Sequence, residues 1–488
     1  MKKPNQWIVP VRLRAIKNLK RKAIPQLPKN AVKICIFSFL QLDSEDYLHN
    51  PRFKFNNLST FPMASSSKSP KQPKFGETTQ DMISSMPTEV TDKIMKRLPL
   101  KTAAKMSVLS RKWRRNWLSH RYLVFDRDFW EEQRKNGKIE WHKISNIISN
   151  ILFLHNGPVQ VFHLYIPGRS DNISLNLSPW LFFLSRIGVK KIRITNGSNC
   201  LTIPSHIYAC KELVKLSIQH YVVETPPCEF KGFAHLRNIE LVDVEFKHET
   251  MKSLIASCPQ LTVLVLQDWY GMDNVVIDAP RLEVLTIRGE FMSLAFENVS
   301  CVKSVTICLN EEEDPSNYIE TIDAIKILAS STELQCLQFG GRMSKLLAAG
   351  YAAQPFTLAF NHLHRLSLTD FDLSDFGVFC FTFSMLQSCP SIKDLHISLD
   401  PNKRSVKHKF DYNKDYKLRH LLKVEITGIT GSSVEFKLIE YVLATSVVLE
   451  KLLFKCAYLD PSSELKVSRV LLQLPRASPK AKLVCMEQ

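Results

Sequence analysis

The chain has 488 residues, 45% of them apolar and 23% charged, which is enough for two to four domains with a sizeable core. Its formal charge is +18, but twelve Lys/Arg against three Asp/Glu in residues 1–62 supply half of that, and the rest is diluted over the body. The dilution, without a basic block interleaved with aromatics, argues against a nucleic-acid-binding body, and no run of about 18 apolar residues exists to span a membrane.

Residues 1–62 show no clear period, and the Met63-Ala-Ser that follows reads as a translation start with a disordered Ser/Lys/Pro leader over 63–80. The basic segment before it is then an upstream extension, or alternatively a targeting arm built on KNLKRK (17–22). Twelve cysteines are scattered along the chain with no C-x-x-C pair, a pattern of reduced core thiols in an intracellular protein and not of a zinc ribbon. N-x-S/T triplets at Asn172 and Asn196 lack a secretory context. No P-loop, H-E-x-x-H or G-x-S-x-G occurs, and SSSK (65–68) lacks the partner motifs of an S-x-x-K enzyme. No catalytic residue, metal or cofactor is expected.

Residues 86–118, MPTEVTDKIMKRLPLKTAAKMSVLSRKWRRNWL, carry helix punctuation at short intervals. Pro87 suits a first helical turn, where its missing N–H costs nothing. Glu89 and the Lys96–Arg97 pair each sit at the favourable end of the helix dipole. Val90, Ile94 and Leu98 recur every four residues as one apolar stripe, and Pro99 stops the helix. Thr102 is placed to cap a second helix, whose alanines permit close approach. Ser110 is placed to cap a third, in which Trp113 and Trp117 stand one turn apart. Three helices in roughly 35 residues are too small to fold well unaided, so the module is expected to complete its core against a partner.

After the helical stretch WHKISNIISNILFLH (141–155), one spelling recurs: apolar, two residues, apolar, one residue, apolar. It reads as Val161/Leu164/Ile166, Val189/Ile192/Ile194, Leu213/Leu216/Ile218 and Leu236/Ile239/Leu241. It continues as Leu261/Leu264/Leu266, Leu282/Leu285/Ile287, Val302/Val305/Ile307 and Leu334/Leu337/Phe339. The last four are Leu363/Leu366/Leu368, Ile392/Leu395/Ile397, Leu421/Val424/Ile426 and Leu449/Leu452/Phe454. The steps run between 20 and 32 residues, the signature of leucine-rich repeats.

The last two apolar members share one face of a short strand, and each unit buries that face only against its neighbours. The expected fold is an α/β leucine-rich-repeat solenoid, an irregular horseshoe with a parallel sheet on its concave face, preceded by the small three-helix module. Spacers such as DNVVIDAPRL (273–282) are too short for a full helix, so the convex side should be irregular. The residue between the two apolar members should face outward: Arg193, Ser217, Glu240, Val265, Thr286, Thr306, Gln338, Ser367, His396, Glu425 and Leu453. That mixture names no ligand. Over 421–456 the order is strand, Gly turn, helix, strand, with Ser432 and Glu435 as a capping box.

The helical module resembles the F-box family. The family pattern of Leu-Pro-x-Glu, an apolar residue every four, Leu-Pro-x-Lys and Ser-x-x-Trp-Arg is met by Met86-Pro87-Thr88-Glu89, Ile94, Leu98-Pro99-Leu100-Lys101 and Ser110-Arg111-Lys112-Trp113-Arg114. Met86 stands where the pattern has Leu, a volume-conserving exchange. Segment 421–456 is similar to the FBD domain that closes many plant F-box/leucine-rich-repeat proteins, and the SCP sites at 257–259 and 388–390 resemble that family's repeat boundaries.

The resemblance implies a non-catalytic substrate-recognition subunit of an SCF-type (SKP–cullin–F-box) ubiquitin ligase, acting in the cytoplasm or nucleus. It docks on an SKP-family adaptor, and through it on a cullin–RING ligase, while the repeats hold a protein substrate. It implies adaptor contacts at Met86, Pro87, Glu89, Val90, Ile94, Leu98, Pro99, Ala103, Ser107, Val108, Ser110 and Trp113, with Trp117 a lesser candidate. Neither membrane nor nucleic acid is an expected partner. A non-ligase repeat scaffold and a nucleic-acid-associated interaction protein stay open as alternatives. The domain order is an extension (1–62), a linker (63–80), the F-box (81–121), a connecting helical segment (122–160), repeats (161–400) and the FBD with last repeats and tail (401–488).

Overall fold

The structure, a computed structural model, describes residues 86–135, 138–168, 175–197, 201–247, 250–310, 318–353, 359–401, 416–457 and 460–486. The expectations for 1–80 lie outside these residues. Two compact units are present, one running to Leu164 and including Ile173–Ile187, the other comprising Tyr165–Asn172 and Gly188–Gln488.

The first unit opens with three helices, α1 (Thr88–Arg97), α2 (Leu100–Met106) and α3 (Arg111–Leu118). Strand β1 (Tyr122–Phe125), helix α4 (Arg127–Glu132), the short hairpin β2 (Arg134–Lys135) and β3 (Lys138–Ile139), helix α5 (Trp141–Leu154), strand β4 (Val161–Ile166) and helix α6 (Ser178–Ile187) follow. Strand β1 lies parallel to β4, with Leu123 opposite Phe162 and Phe125 opposite Leu164. A strand of four residues has too few positions for a period to show, so only helix was expected in this segment. Helix α5 buries Ile144, Ile147, Ile148 and Leu152, the period its sequence spelled, and its Ser149 accepts a 2.9 Å bond from the Trp180 indole of α6.

The second unit is a parallel sheet whose strands are added in chain order. Its strands are β5 (Lys191–Asn196), β6 (Leu201–Thr202), β7 (Lys215–Val223), β8 (Asn238–Phe246), β9 (Val263–Gln267), β10 (Asn274–Asp278), β11 (Val284–Gly289), β12 (Ser293–Asn298), β13 (Ser304–Leu309), β14 (Cys336–Gly341), β15 (Arg365–Phe371), β16 (Asp394–Leu399), β17 (Lys423–Ile429), β18 (Lys451–Cys456) and β19 (Lys482–Cys485). Helices α7 (Thr250–Ala256), α8 (Tyr318–Ser330), α9 (Met343–Ala353), α10 (Phe376–Gln387), α11 (Ser433–Thr445) and α12 (Pro461–Gln473) lie between strands. The order through the sheet is β5-β7-β8-β9-β11-β13-β14-β15-β16-β17-β18-β19, the leucine-rich-repeat arrangement.

From β5 to β18 every expected triplet is buried, no member more than 2–3% exposed. The first triplet is displaced by two residues. Val159, Phe162 and Leu164 fill the triplet's places, Ile166 is buried as expected, and Val161 is half-exposed. A two-residue shift keeps the strand's face, which is why Leu164 fitted either frame. The irregular side takes a definite form. Where the repeat step shrinks, β10 and β12 replace the helix and pair in parallel as a separate two-stranded sheet. A strand covers in 5 residues what a helix would need about twice as many to span.

One backbone position repeats too. Four residues after the middle member of a triplet, the chain enters left-handed space at His220 (φ 64°), Asp243 (φ 48°), Asp268 (φ 50°), Gly341 (φ 61°), Asp370 (φ 59°) and Gly428 (φ 79°). Asp and Gly tolerate that region where most residues do not. At Gly341 a Cβ would also lie 2.1 Å from the Leu309 carbonyl oxygen, so glycine is required there on both counts.

Candidate functional site

The helical module holds itself together through a few inward groups. Ala103 and Ala104 are fully buried on α2, and Trp113 and Trp117 of α3 are 1% and 7% exposed. Asn116 of α3 donates to Thr91 Oγ1 on α1 at 2.9 Å, and Thr91 in turn donates to the Thr88 carbonyl. The Lys112 ammonium donates to the Met86 carbonyl, tying the start of α1 to α3. Ser110 caps α3 as expected, accepting from Trp113 N. Thr102 does not cap α2. That helix starts at Leu100 behind Pro99, and Thr102 lies exposed within its first turn.

The inward face of α1 is Thr91 and Met95. The stripe one step round the helix points away. Val90 is 42% exposed, Ile94 and Leu98 are half-buried, and Pro87 and Pro99 at the helix ends are exposed. Among the remaining expected contacts, Glu89 is exposed, and Met86, Val108 and Ser110 are half-buried. Ala103, Ser107 and Trp113 are inside, with Ser107 Oγ donating to the Ala104 carbonyl. Their burial leaves no surface for an outside group. Leu109, 59% exposed between α2 and α3, was not among the expected contacts.

The module runs into a histidine pair. His120 stacks on Trp117 with centroids 6.2 Å apart and meets Tyr122 edge-on. Burial, helped to a lesser extent by the neighbouring His155, lowers the His120 pKa to about 4. Burial likewise lowers His155 to about 4, against a smaller raising effect of the Gly157 backbone. Unfolded, both titrate near 6.5, so between about 6.5 and 4 the unfolded chain binds protons that the folded chain refuses. Stability is therefore full above pH 6.5 and is lost as pH falls through that window, by up to about 3 kcal/mol per histidine. A His120→Phe/His155→Phe variant should show a flatter profile in thermal melts between pH 7 and about 4.5. Equal slopes in both proteins would remove the pair as the cause.

In the second unit the outward residues expected from the repeat spelling form one continuous row by strand register. Arg193 lies opposite Ser217, which lies opposite Glu240, then Val265, Thr286, Thr306, Gln338, Ser367, His396, Glu425 and Leu453. Most are half-exposed, while Ser217 is buried. At the strand ends a cavity of about 200 Å³ is lined by Arg342, Lys345, Asp370, Asp372 and Asp400. Lys345 approaches Asp372 at 3.8 Å, so charges of both signs answer each other there. Among the described residues no cluster of His, Cys, Asp or Glu could hold a metal, and no helix is long and apolar enough to cross a membrane.

Family models match three stretches in chain order. The F-box domain matches residues 83–125, the leucine-rich repeats described for FBD-associated F-box protein At5g56370 match 177–328, and the FBD matches 418–454. In this order of matched stretches the chain is similar to F-box/FBD/leucine-rich-repeat proteins. It is 29% identical over 415 residues to the F-box/FBD/LRR-repeat protein At1g13570 of Arabidopsis thaliana, covering 83% of this chain and 99% of that one. It is 25% identical over 460 residues to the putative F-box/FBD/LRR-repeat protein At5g22670 of the same plant, covering 84% and 99%.

Proposed function

We propose that the chain is the substrate-recognition subunit of an SCF-type ubiquitin ligase. Its F-box docks on an SKP-family adaptor that joins it to a cullin–RING ligase, and its repeats hold a protein substrate. The observation that carries this reading is the orientation of α1: Thr91 and Met95 serve the module's own core, and Val90, Ile94 and Leu98 are left on its outside. An apolar stripe kept in water is unfavourable unless another surface covers it.

In this reading Pro87, Glu89, Val90, Ile94, Leu98 and Pro99 meet the adaptor, with Met86, Val108 and Ser110 at the margin. Ala103, Ser107 and Trp113 act from inside by holding the helices in place. The chain makes and breaks no bonds itself. It raises the local concentration of substrate beside the charged ubiquitin, in the cytoplasm or nucleus.

Leu98→Ala combined with Pro99→Ala should abolish co-purification of the adaptor while the repeats melt unchanged. Undiminished adaptor binding by the double variant would overturn the assignment. Cullin in the same pull-down separates a ligase receptor from a repeat scaffold that uses its F-box otherwise.

A further inference from the structure

On the outward face of the sheet, several cations are answered by acids one or two strands away. Arg193 and Lys215 reach the two oxygens of Glu240 at 3.4 and 3.5 Å. Arg365 reaches Asp394 at 3.2 Å. Lys191 and Lys215 lie opposite one another across β5 and β7 with Glu240 answering Lys215, and the last three strands carry a longer run. Lys423 lies opposite Lys451, and Lys451 opposite Lys482, so three exposed lysines occupy one register row. Lys455 lies on the same face four residues further along β18.

Glu425 pairs with Lys423 at 3.2 Å. Lys451, Lys455 and Lys482 make no ion pair among the described residues. The carboxylate nearest in sequence, Glu450, is exposed in the turn before β18. Residues 416–486 as a whole hold eleven Lys/Arg against six Asp/Glu, so much of the basic excess outside the N-terminal extension gathers here.

Adjacent strands stand about 4.8 Å apart, and like charges directly opposite on one face repel. Lysine on an edge strand is an ordinary guard against aggregation, which would account for Lys482 alone. Strands β17 and β18 are paired on both sides and have no edge to protect. The row beside the lysines, from Glu425 to Leu453 to Val484, turns apolar over the same strands, with Val484 38% exposed. No aromatic platform for bases stands among these positions.

We infer that the outward face of β17–β19 docks an acidic segment of a protein substrate, carboxylates or phosphates against Lys423, Lys451, Lys455 and Lys482 and an apolar side chain against Leu453 and Val484. This names the substrate chemistry within the receptor reading and rests on it. Three lysines spaced as adjacent strands span about 10 Å, the reach of two alternate side chains on an extended peptide plus the play of the lysine stems.

The test uses the full chain bound to its adaptor and a labelled short peptide of glutamates around a central leucine, read by fluorescence anisotropy at physiological salt. The triple variant Lys423→Gln/Lys451→Gln/Lys482→Gln should weaken binding at least about tenfold, the scale of a few charge contacts. Exchanging glutamine for the peptide's glutamates should weaken it similarly. A control triple, Lys211→Gln/Lys231→Gln/Lys252→Gln, should leave binding within about twofold of the unmodified chain.

Equal loss in both triples, or no binding at about 100 μM peptide, would overturn the inference. Tighter binding of a single-stranded RNA or of phosphatidylserine vesicles, lost in the first triple, would assign the face to that partner and overturn it too. Both triples should retain the adaptor. Loss of the adaptor with peptide binding intact would strike the receptor reading alone.

Discussion

Replacing Trp113 with alanine should unfold the F-box helices, lowering the stability of the first unit by about 3–5 kcal/mol, the range for a buried large aromatic. Its side chain is 1% exposed, beside the fully buried Ala103 and Ala104 of α2. A module of three short helices has little else to lean on. Trp113→Phe should be far milder, because the indole Nε1 has no hydrogen-bond partner among the described residues to lose. Hydrogen exchange over 88–118 reads the outcome directly. Amides in α1 to α3 that stay protected after Trp113→Ala would show that the indole is not the centre of the bundle. The comparison with Leu98→Ala/Pro99→Ala is informative: both variants should lose the adaptor, one by losing the fold and the other by losing the surface.

Glu435→Ala should cost the FBD segment about 3 kcal/mol. The carboxylate is 6% exposed and accepts four hydrogen bonds: from Thr430 N at 3.0 Å, Thr430 Oγ1 at 2.7 Å, Gly431 N at 2.8 Å and Ser432 N at 2.9 Å. Three of these donors are backbone N–H groups in the turn before α11, and each left without an acceptor costs about 1–3 kcal/mol, less where water can enter. Glu435→Gln keeps an acceptor oxygen and should cost about half as much. Because a repeat array need not unfold in one step, exchange rates over 424–456 are the proper readout. A change below about 1 kcal/mol would mean that water replaces the carboxylate without penalty.

The repeats were legible because burial acts on a fixed grammar: a strand's alternation, repeated, left little room for another reading. The capping box was equally plain, since Ser432 and Glu435 stand at the spacing the motif requires. What the sequence hid has physical reasons. Strands β1 and β19 are four residues long, and β19 buries little, so neither spells a pattern. Leu164 belongs to both frames and Ile166 is buried too, which let the first frame slide. Val90, Ile94 and Leu98 were visible as a stripe, but apolar spacing alone does not say whether a stripe turns inward. That is decided by Thr91, whose hydroxyl bonds across to Asn116 and fixes the helix's rotation.

The strict alternation along each strand also has an evolutionary meaning. Positions pointing into the core and positions pointing outward are largely distinct, so they can be edited as two separate alphabets. A lineage can rewrite the outward surface, one rung at a time, while the scaffold that displays the text stays untouched.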